Sequence, residues 1–176
     1  MTEKILPMRN GVGAIVLNKN NKVFVGKRID NPGKFWQMPQ GGVDEGEKYF
    51  DAMRREIFEE TGIKDFEVIK EIEGMTEYEL PDYLLGKIWK GKYRGQRQKW
   101  FVIRFLGHDK DINLNTSKPE FIEWKWTNID DLPSIIVDFK KKLYMNLVPK
   151  IKLIIGLSYL ILISLFLYFL FSNFSI

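Results

Sequence analysis

The segment from Gly41 to Ile63 constrains the fold and the chemistry of this chain more than any other part of the sequence. Within it, Phe50, Met53 and Ile57 recur at the spacing of one helical face. This pattern predicts an amphipathic helix from Gly46 to Thr61.

The predicted helix has recognisable ends. Asp44 and Glu47, three residues apart, resemble a capping box at its start, with Asp in place of the usual Ser or Thr. Gly62 is suited to the residue that ends a helix. We therefore expect the helix to stop at this glycine.

Three glutamates occupy one side of this helix. Glu56, Glu59 and Glu60 lie at positions i, i+3 and i+4, and their charges repel one another unless a cation lies between them. Carboxylate oxygens are hard ligands suited to Mg²⁺ or Mn²⁺. Taken alone, however, such a cluster is more often a solvated acidic face.

The neighbouring residues favour the metal site. Gly41 and Gly42 precede the helix and allow the backbone to approach closely. Glu47 is placed to reach Arg55 across two turns and hold it. A solvated acidic face needs none of these residues.

Composition leaves acid–base and metal chemistry to the carboxylates. The 176 residues, 45% of them hydrophobic, suffice for one domain with a real core. The chain has no cysteine and one histidine, His108, which excludes disulfides, thiolate metal sites, cysteine nucleophiles and multi-histidine clusters. A formal charge of +4 hints at anionic partners.

Up to about residue 150, short apolar runs alternate with helical patterns, which predicts an α/β fold. Asn18-Lys19-Asn20-Asn21 is typical of a turn between paired strands. Extended segments are predicted at Val12–Leu17, Val23–Lys27, Phe35–Pro39, Glu67–Ile72, Glu77–Leu80, Gln98–Leu106 and Phe121–Thr127. A last helix is predicted over Asp138–Leu147, ending before Pro149.

The C-terminal segment carries no charge from Leu153 to Ile176. As a helix, Leu153 to Phe171 would span about 28 Å, close to the ~30 Å hydrocarbon core of a bilayer. Lysines precede the segment and none follows it, so we expect a membrane anchor with the bulk of the chain on the cytoplasmic side. A buried terminal helix and a replaced C-terminus are the alternatives. We divide the chain into a catalytic domain, residues 1–150, and an apolar segment, residues 151–176.

The segment Gly41–Ile63 resembles the signature of the Nudix hydrolase family, Gly-x5-Glu-x7-Arg-Glu-apolar-x-Glu-Glu-x-Gly-apolar. Its fixed positions are all filled, by Gly41, Glu47, Arg55, Glu56, Ile57, Glu59, Glu60, Gly62 and Ile63. The resemblance implies an α/β/α sandwich around a mixed sheet. It also implies Mg²⁺- or Mn²⁺-dependent hydrolysis of a nucleoside diphosphate linked to another group, with no organic cofactor.

Further pieces are similar to the bacterial RNA pyrophosphohydrolase branch of the family, which overlaps with dinucleoside polyphosphate hydrolases. They are Gly11–Gly13, Lys27–Arg28, Trp36–Gly42, Tyr78–Pro81, Gly95–Phe101, Pro119–Phe121, Trp124–Trp126 and Asp138–Lys140. The piece Gly-Gln-Arg-Gln-Lys-Trp-Phe is the most specific to the branch. The chain departs from the branch at Met8-Arg9-Asn10, which lacks the proline of the usual Tyr-Arg-Pro-Asn.

The resemblance also implies roles for individual residues. Glu56, Glu59, Glu60 and Glu120 would bind the metal, with one of them as the base, and Arg55 would orient the metal ligands. Gly41, Glu47 and Gly62 belong to the structural part of the motif. The residues implied in substrate binding are Arg9, Arg28, Gln40, Gly41, Gly42, Lys99, Phe139 and Lys140.

A basic and aromatic segment runs from Tyr83 to Phe105, with seven Lys or Arg and no Asp or Glu. The interleaved aromatic residues are Tyr83, Trp89, Tyr93, Trp100 and Phe101. This mixture suits a polyanion that carries bases, such as the 5′ end of an RNA. It is equally typical of a solvated loop and strand whose aromatic residues join the core.

Three functions are carried forward as hypotheses. The first is an RNA 5′ pyrophosphohydrolase that converts 5′-triphosphate ends to monophosphates, releases pyrophosphate and promotes RNA decay. The second is a hydrolase of dinucleoside polyphosphates such as Ap4A and Ap5A. The third is a catalytically silent, membrane-tethered binding module, which the intact glutamate set disfavours. We expect a cytoplasmic protein tethered to the membrane through residues 153–171.

Overall fold

The computed structural model describes residues 6–31 and 33–172, without the side chains of residues 159, 161, 162, 165, 166 and 168–172. Its strands are β1 (Met8–Leu17), β2 (Val23–Arg28), β3 (Gln40–Gly42), β4 (Phe66–Glu71), β5 (Thr76–Glu79), β6 (Gly95–Phe105) and β7 (Phe121–Thr127). Its α-helices are α1 (Tyr49–Thr61), α2 (Leu132–Ile135) and α3 (Asp138–Ser172).

A mixed sheet forms the middle layer of the fold. Its main path runs β4-β6-β1-β2-β7, while β3 pairs with β1 and β5 pairs with β6. Strands β1 and β6 are parallel, from Met8 beside Gly95 to Leu17 beside Arg104, and the other pairs are antiparallel. The predicted mixed sheet is therefore confirmed.

Helices cover both faces of this sheet. Successive side chains of β1 point to opposite faces, so each face has apolar residues that pack against a helix. On one face Val12 and Val16 pack with Ile57 of α1. On the other face Ile15 packs in the cluster that includes Tyr144 of α3. The layers follow the expected α/β/α order, and α1 lies against the strand pair β1–β3.

Helix α1 begins three residues later than predicted, at Tyr49 and not at Gly46. The carboxylate of Glu47 accepts a hydrogen bond from the Asp44 N–H at 3.0 Å, so this pair closes a turn ahead of the helix and is not its cap. The predicted C-terminal stop is confirmed, since Gly62 adopts the left-handed conformation at φ 70°.

The strand predicted at Phe35–Pro39 is wrong. Only Gln37 in that stretch forms a bridge, with Gly26, and the strand that pairs with β1 is Gln40–Gly42. Pro39 has no N–H to donate to a ladder, which limits pairing there. The shift places Gly41 and Gly42 directly beside the start of β1.

The end predicted for the last helix is also wrong, since α3 continues through Pro149 to Ser172. Ile151 is fully buried, and Ile154 and Ile155 pack against the same core cluster. Burial of this apolar face compensates for a proline inside a helix, which costs about 3 kcal/mol. The packed domain thus extends beyond residue 150.

Among the residues that the structure describes, we find no helix with the length and apolarity required to cross a membrane. The predicted anchor at Leu153–Phe171 falls partly on side chains outside the described residues. It therefore receives no support from the described part of the chain.

Candidate active site

The three clustered glutamates of helix α1 are buried to different extents. Glu60 is only 1% exposed, and the side chains of Glu56 and Glu59 are 12% and 25% exposed. A solvated acidic face would leave all three in water. That alternative interpretation of the cluster is therefore wrong.

Glu60 is a buried and half-satisfied carboxylate. Its Oε2 accepts a hydrogen bond from the Gln40 N–H at 3.0 Å, whereas its Oε1 is buried with no hydrogen-bond partner among the described residues. Burial raises the pKa of Glu60 well above its ordinary value, and repulsion from Glu120 and Glu56 adds to the rise. Such a group is costly to bury unless it has a function or a ligand.

Gly41 gives the carboxylate of Glu56 its place against the backbone. A Cβ added at residue 41 would overlap that carboxylate, so the carboxylate can lie there only because residue 41 is glycine. Burial raises the pKa of Glu56, the hydrogen bond from Arg55 opposes the rise, and the charges of Glu120 and Glu59 add to it. The glycine thus holds β3 and α1 close enough for their polar groups to share one site.

Arg55 binds these elements together. Its guanidinium donates to both carboxylate oxygens of Glu47, at 2.9 and 2.8 Å, to Glu56 at 2.8 Å and to the Gly42 carbonyl at 2.9 Å. It also forms an ion pair with Glu59 at 3.7 Å. The predicted contact between Glu47 and Arg55 is confirmed.

Glu120 enters the site from the loop before β7. Its carboxylate accepts a hydrogen bond from Arg28 at 3.2 Å, and its backbone carbonyl accepts one from the Ile29 N–H at 2.9 Å. Arg28 is also held by Asp30 through two bonds of 2.6 Å. Asp30, which orients the Arg28 guanidinium, was not predicted from the sequence.

Lys140 is buried beside the same carboxylates. Its Nζ lies 4.9 Å from the ring centroid of Tyr78 and 3.5 Å from Oε1 of Gln37. Burial lowers the pKa of Lys140 to about 7; Arg28 lowers it too, while Glu60 and other nearby acids act in the opposite sense. Phe139 packs on Tyr78 with 5.7 Å between ring centroids.

Buried glutamine side chains form hydrogen bonds with one another and with the backbone of β3, the strand that contains Gly41 and Gly42. Gln98 donates to Gln40 at 3.1 Å and to Gln96 at 3.3 Å, and Gln96 donates to the Gly41 carbonyl at 3.1 Å. Gln40 in turn contacts Gln37 at 3.5 Å. The spacing of Gln96 and Gln98, two residues apart on one strand, signals a shared face, but the sequence did not reveal their partners.

Arg9 lies on the other side of the glycine pair. Its guanidinium takes the space that a side chain at Gly42 would occupy, and it stands 5.3 Å from the centroid of a Trp89 ring. Among the described residues Arg9 has no carboxylate partner. It is therefore a charged group beside β3 whose donors are not taken up by an ion pair with any residue in the described part of the chain.

Lys99 does not contact the clustered glutamates of the site. Much of the basic and aromatic segment instead pairs with residues of neighbouring strands or packs in the core. Its cross-strand ion pairs are Lys99 with Glu71, Arg97 with Glu77, and Arg94 with Glu79. Trp100 and Phe101 are buried in the cores on opposite faces of the sheet. These ion pairs and buried rings link neighbouring strands of the sheet, and substrate binding by Lys99 stays a prediction.

Within the part of the chain that the structure describes, no three acidic or histidine side chains converge closely enough to hold a metal ion as they stand. Arg55 contributes to this arrangement by drawing Glu56 and Glu59 towards its guanidinium. The donor set nevertheless fits a hard divalent cation, since it offers carboxylate oxygens that repel one another and one buried oxygen of Glu60 without a partner.

A mixed sheet between two helical layers, with a glutamate-bearing helix against a Gly-Gly strand, defines a Nudix-type protein. The NUDIX domain family matches residues 7–147, and the chain belongs to that family. Its relatives include the RNA pyrophosphohydrolase of Pelagibacter ubique (strain HTCC1062), 59% identical over 86% of this chain and 96% of the relative. The RNA pyrophosphohydrolase of Rickettsia typhi (strain ATCC VR-144 / Wilmington) is 49% identical over 85% of this chain and 93% of the relative.

Solved structures with the same fold are more distant in sequence. The E. coli dihydroneopterin triphosphate pyrophosphohydrolase superposes with a TM-score of 0.63 at 21% identity, covering 84% of this chain and 99% of that chain. A C. elegans Ap4A hydrolase in a binary complex gives 0.62 at 22% identity, covering 85% and 98%. These similarities establish the fold.

Proposed function

We propose that this Nudix hydrolase is an RNA 5′ pyrophosphohydrolase, which converts a 5′-triphosphate end of RNA to a 5′-monophosphate and releases pyrophosphate. The observation that carries the proposal is the buried carboxylate of Glu60, which has one oxygen without a partner among the described residues and interacts electrostatically with Glu56, Glu120 and Lys140. Relatives at 59% and 49% identity bear the name RNA pyrophosphohydrolase. We place the reaction in the bacterial cytoplasm, where such RNA is made.

We assign the metal ligands to Glu56, Glu59, Glu60 and Glu120, with Mg²⁺ or Mn²⁺ as the ion. When bound, such an ion neutralises phosphate charge and makes water a better nucleophile. Arg55 does not need to touch the substrate in this account. Its hydrogen bonds to the glutamates and to the glycine strand keep the ligands oriented.

The proton of the attacking water needs an acceptor. Glu120 is the glutamate of the set that water reaches most freely, with 43% of its side chain exposed. Glu60, by contrast, is enclosed by protein. We therefore assign the base to the Glu120 carboxylate, and Arg28 holds that carboxylate in place through the 3.2 Å hydrogen bond.

The phosphates of the substrate require positive charge to balance their own. Lys140 offers a buried ammonium, whose interaction with an anion is strong because little water screens it. Arg9 supplies a planar guanidinium that matches phosphate oxygens, and Arg28, which Asp30 and Glu120 hold in place, adds a second positive charge. Together these three residues clamp the triphosphate while the water attacks.

The first bases of the RNA need an apolar surface next to that clamp. A cleft beside Arg28 is lined by Phe35, Trp36 and Val137, among others. Phe139 lies next to Lys140 and packs on Tyr78. We propose that bases stack in this region, as single-stranded RNA does on aromatic side chains.

The second candidate is hydrolysis of dinucleoside polyphosphates such as Ap4A at the same site. Arg94, Arg97 and Lys99 of the basic segment are paired with glutamates, so they offer less charge to a long RNA. This pairing favours the smaller dinucleoside polyphosphate as substrate. A catalytically silent binding module is the third candidate. A binder gains nothing from buried carboxylates that repel one another.

The experiment that separates these functions compares two substrates with the full chain. A 5′-triphosphorylated RNA and Ap4A are supplied at equal concentration with Mg²⁺ or Mn²⁺, and the products are separated over time. Faster formation of monophosphorylated RNA ends supports the proposal. Faster cleavage of Ap4A favours the second function. If neither substrate is turned over, the third function, a catalytically silent binding module, is favoured.

A further inference from the structure

The loop between β5 and β6, residues 80–94, contains an unusual backbone turn. Trp89 and Lys90 both have positive φ, at 49° and 56°, and Gly91 follows at 70°. Left-handed conformations are uncommon for bulky side chains such as Trp and persist only where the surroundings enforce them. The fold therefore holds the backbone at Trp89 in this conformation, and the contacts of the indole set its direction.

That direction is fixed from two sides. Trp89 packs against the core cluster on the α3 face of the sheet, and Tyr93 meets its ring edge-on with 6.3 Å between centroids. The end of the loop is tied to the start of β1, since the Arg94 N–H donates to the Pro7 carbonyl at 3.0 Å. Arg9 follows Pro7 by two residues, and its guanidinium lies over the Trp89 ring.

The Arg9 side chain is held without losing its charge or its donors. An ion pair, such as that of Arg28 with Asp30, orients a guanidinium but occupies some of its donors and offsets part of its charge. An aromatic face attracts the cation and leaves its N–H groups free for another partner. On its other side the guanidinium of Arg9 rests where Gly42 has no side chain.

From this arrangement we infer that Trp89 is a positioning residue, which holds the Arg9 guanidinium against Gly42 so that it meets the phosphates of the substrate. The inference rests on the proposed function, since Arg9 acts there on the triphosphate. It adds a specific role for the strained turn in the loop. Substrate affinity, more than the rate of the chemical step, depends on the stack.

The test measures binding of inorganic triphosphate to the full chain by titration calorimetry without divalent ions. The variants are Trp89→Leu, Trp89→Phe, Arg9→Gln and the double variant Trp89→Leu/Arg9→Gln. We expect Trp89→Leu to weaken binding about five- to tenfold and Trp89→Phe to restore most of the loss, because Phe keeps an aromatic face. In the Arg9→Gln background, Trp89→Leu should change affinity less than about twofold.

The same variants are then assayed for KM and kcat on triphosphorylated RNA, with Leu85→Ala as a control on an exposed part of the same loop. We expect Trp89→Leu to raise KM with little change in kcat, and Leu85→Ala to behave as wild type. Equal losses from Trp89→Leu with and without Arg9, or equal damage by Leu and Phe, would overturn the inference. Cleavage of Ap4A in preference to RNA would overturn the proposed substrate and leave the triphosphate-binding result standing.

Discussion

The backbone N–H of Gln40 donates a hydrogen bond of 3.0 Å to Oε2 of Glu60, while Oε1 of the same carboxylate is buried with no hydrogen-bond partner among the described residues. A half-satisfied buried carboxylate lowers the stability of the folded chain. Its retention on the helix that faces the glycine strand is explained if the free oxygen binds a cation during catalysis.

Replacing Gly41 with Ala should disable the site without unfolding the domain. The new methyl group would overlap the Glu56 carboxylate, which must then move away from the position in which we propose that it binds metal. We expect kcat/KM on triphosphorylated RNA to fall by about 10²-fold, the scale of an ångström-sized misplacement. Gly156→Ala is the matched control, since a methyl group there meets open space. Equal activities of the two variants would contradict the prediction.

Replacing Arg55 with Lys should weaken metal activation. A lysine retains the positive charge but cannot bridge Glu47, Glu56 and the Gly42 carbonyl at once. We expect activity to fall about 10- to 100-fold, with more Mg²⁺ needed for half-maximal rate. Arg54→Lys, at the exposed neighbouring position, should leave both quantities unchanged. An unaltered Mg²⁺ requirement in Arg55→Lys would rule out the orienting role.

Replacing Lys140 with Met should stabilise the protein in acid and reduce its activity. The pKa of Lys140 is about 7 in the folded chain and 10.5 ordinarily, so below pH 7 the fold carries a buried ammonium. That burial costs on the order of 5 kcal/mol. Between pH 7 and 10.5 the unfolded chain binds the extra proton, and wild-type stability rises with pH through this window.

Urea unfolding at pH 6 and pH 9 provides the measurement. The free energy of unfolding of Lys140→Met should exceed that of wild type by a few kcal/mol at pH 6, and the gain should shrink by roughly half at pH 9. The loss of activity should be largest at pH 6, where wild-type Lys140 carries its charge, and should shrink at pH 9, where the wild-type side chain is already neutral. A stability difference that does not change with pH would show that Lys140 is not buried in charged form.

The sequence alone revealed the parts of the site that lie close together along the chain. The spacing of Glu56, Glu59 and Glu60 requires one helix face, and Gly62 requires a left-handed end, so local geometry sufficed. The burial of Lys140 beside Glu60 and the stack of Trp89 on Arg9 join residues 80 positions apart. No local pattern encodes such pairs, because the sheet and the loop between β5 and β6 bring them together.

Long-range packing also explains the main error in the elements. Pro149 predicts the end of a helix from local chemistry, yet burial of Ile151 in the core carries α3 past it. Likewise, the basic segment suggested a continuous surface for RNA. Its charges at Arg97 and Lys99 instead meet glutamates of β5 and β4, which sequence spacing cannot pair in advance.

The position at which α3 stops contributing to stability can be tested by truncation. A chain that ends at Ile155 keeps the buried Ile151, whereas one that ends at Leu147 loses it together with the Lys152–Asp130 ion pair. We expect the shorter chain to lose about 2–4 kcal/mol of unfolding free energy, mostly from the isoleucine, because an exposed ion pair contributes little. Equal urea midpoints for the two chains would place the domain boundary before Ile151.

The most direct test of the central claim is the 5′ end produced from triphosphorylated RNA by Glu60→Gln in the presence of Mg²⁺. Glutamine keeps the shape of the side chain and an acceptor for the Gln40 N–H but removes the charge that would hold the ion. Glu45→Gln, at an exposed position before α1, is the matched control. The account predicts monophosphorylated ends and pyrophosphate from wild type and Glu45→Gln, with a rate at least about 10²-fold lower for Glu60→Gln and its fold intact. Wild-type rates from Glu60→Gln would contradict it.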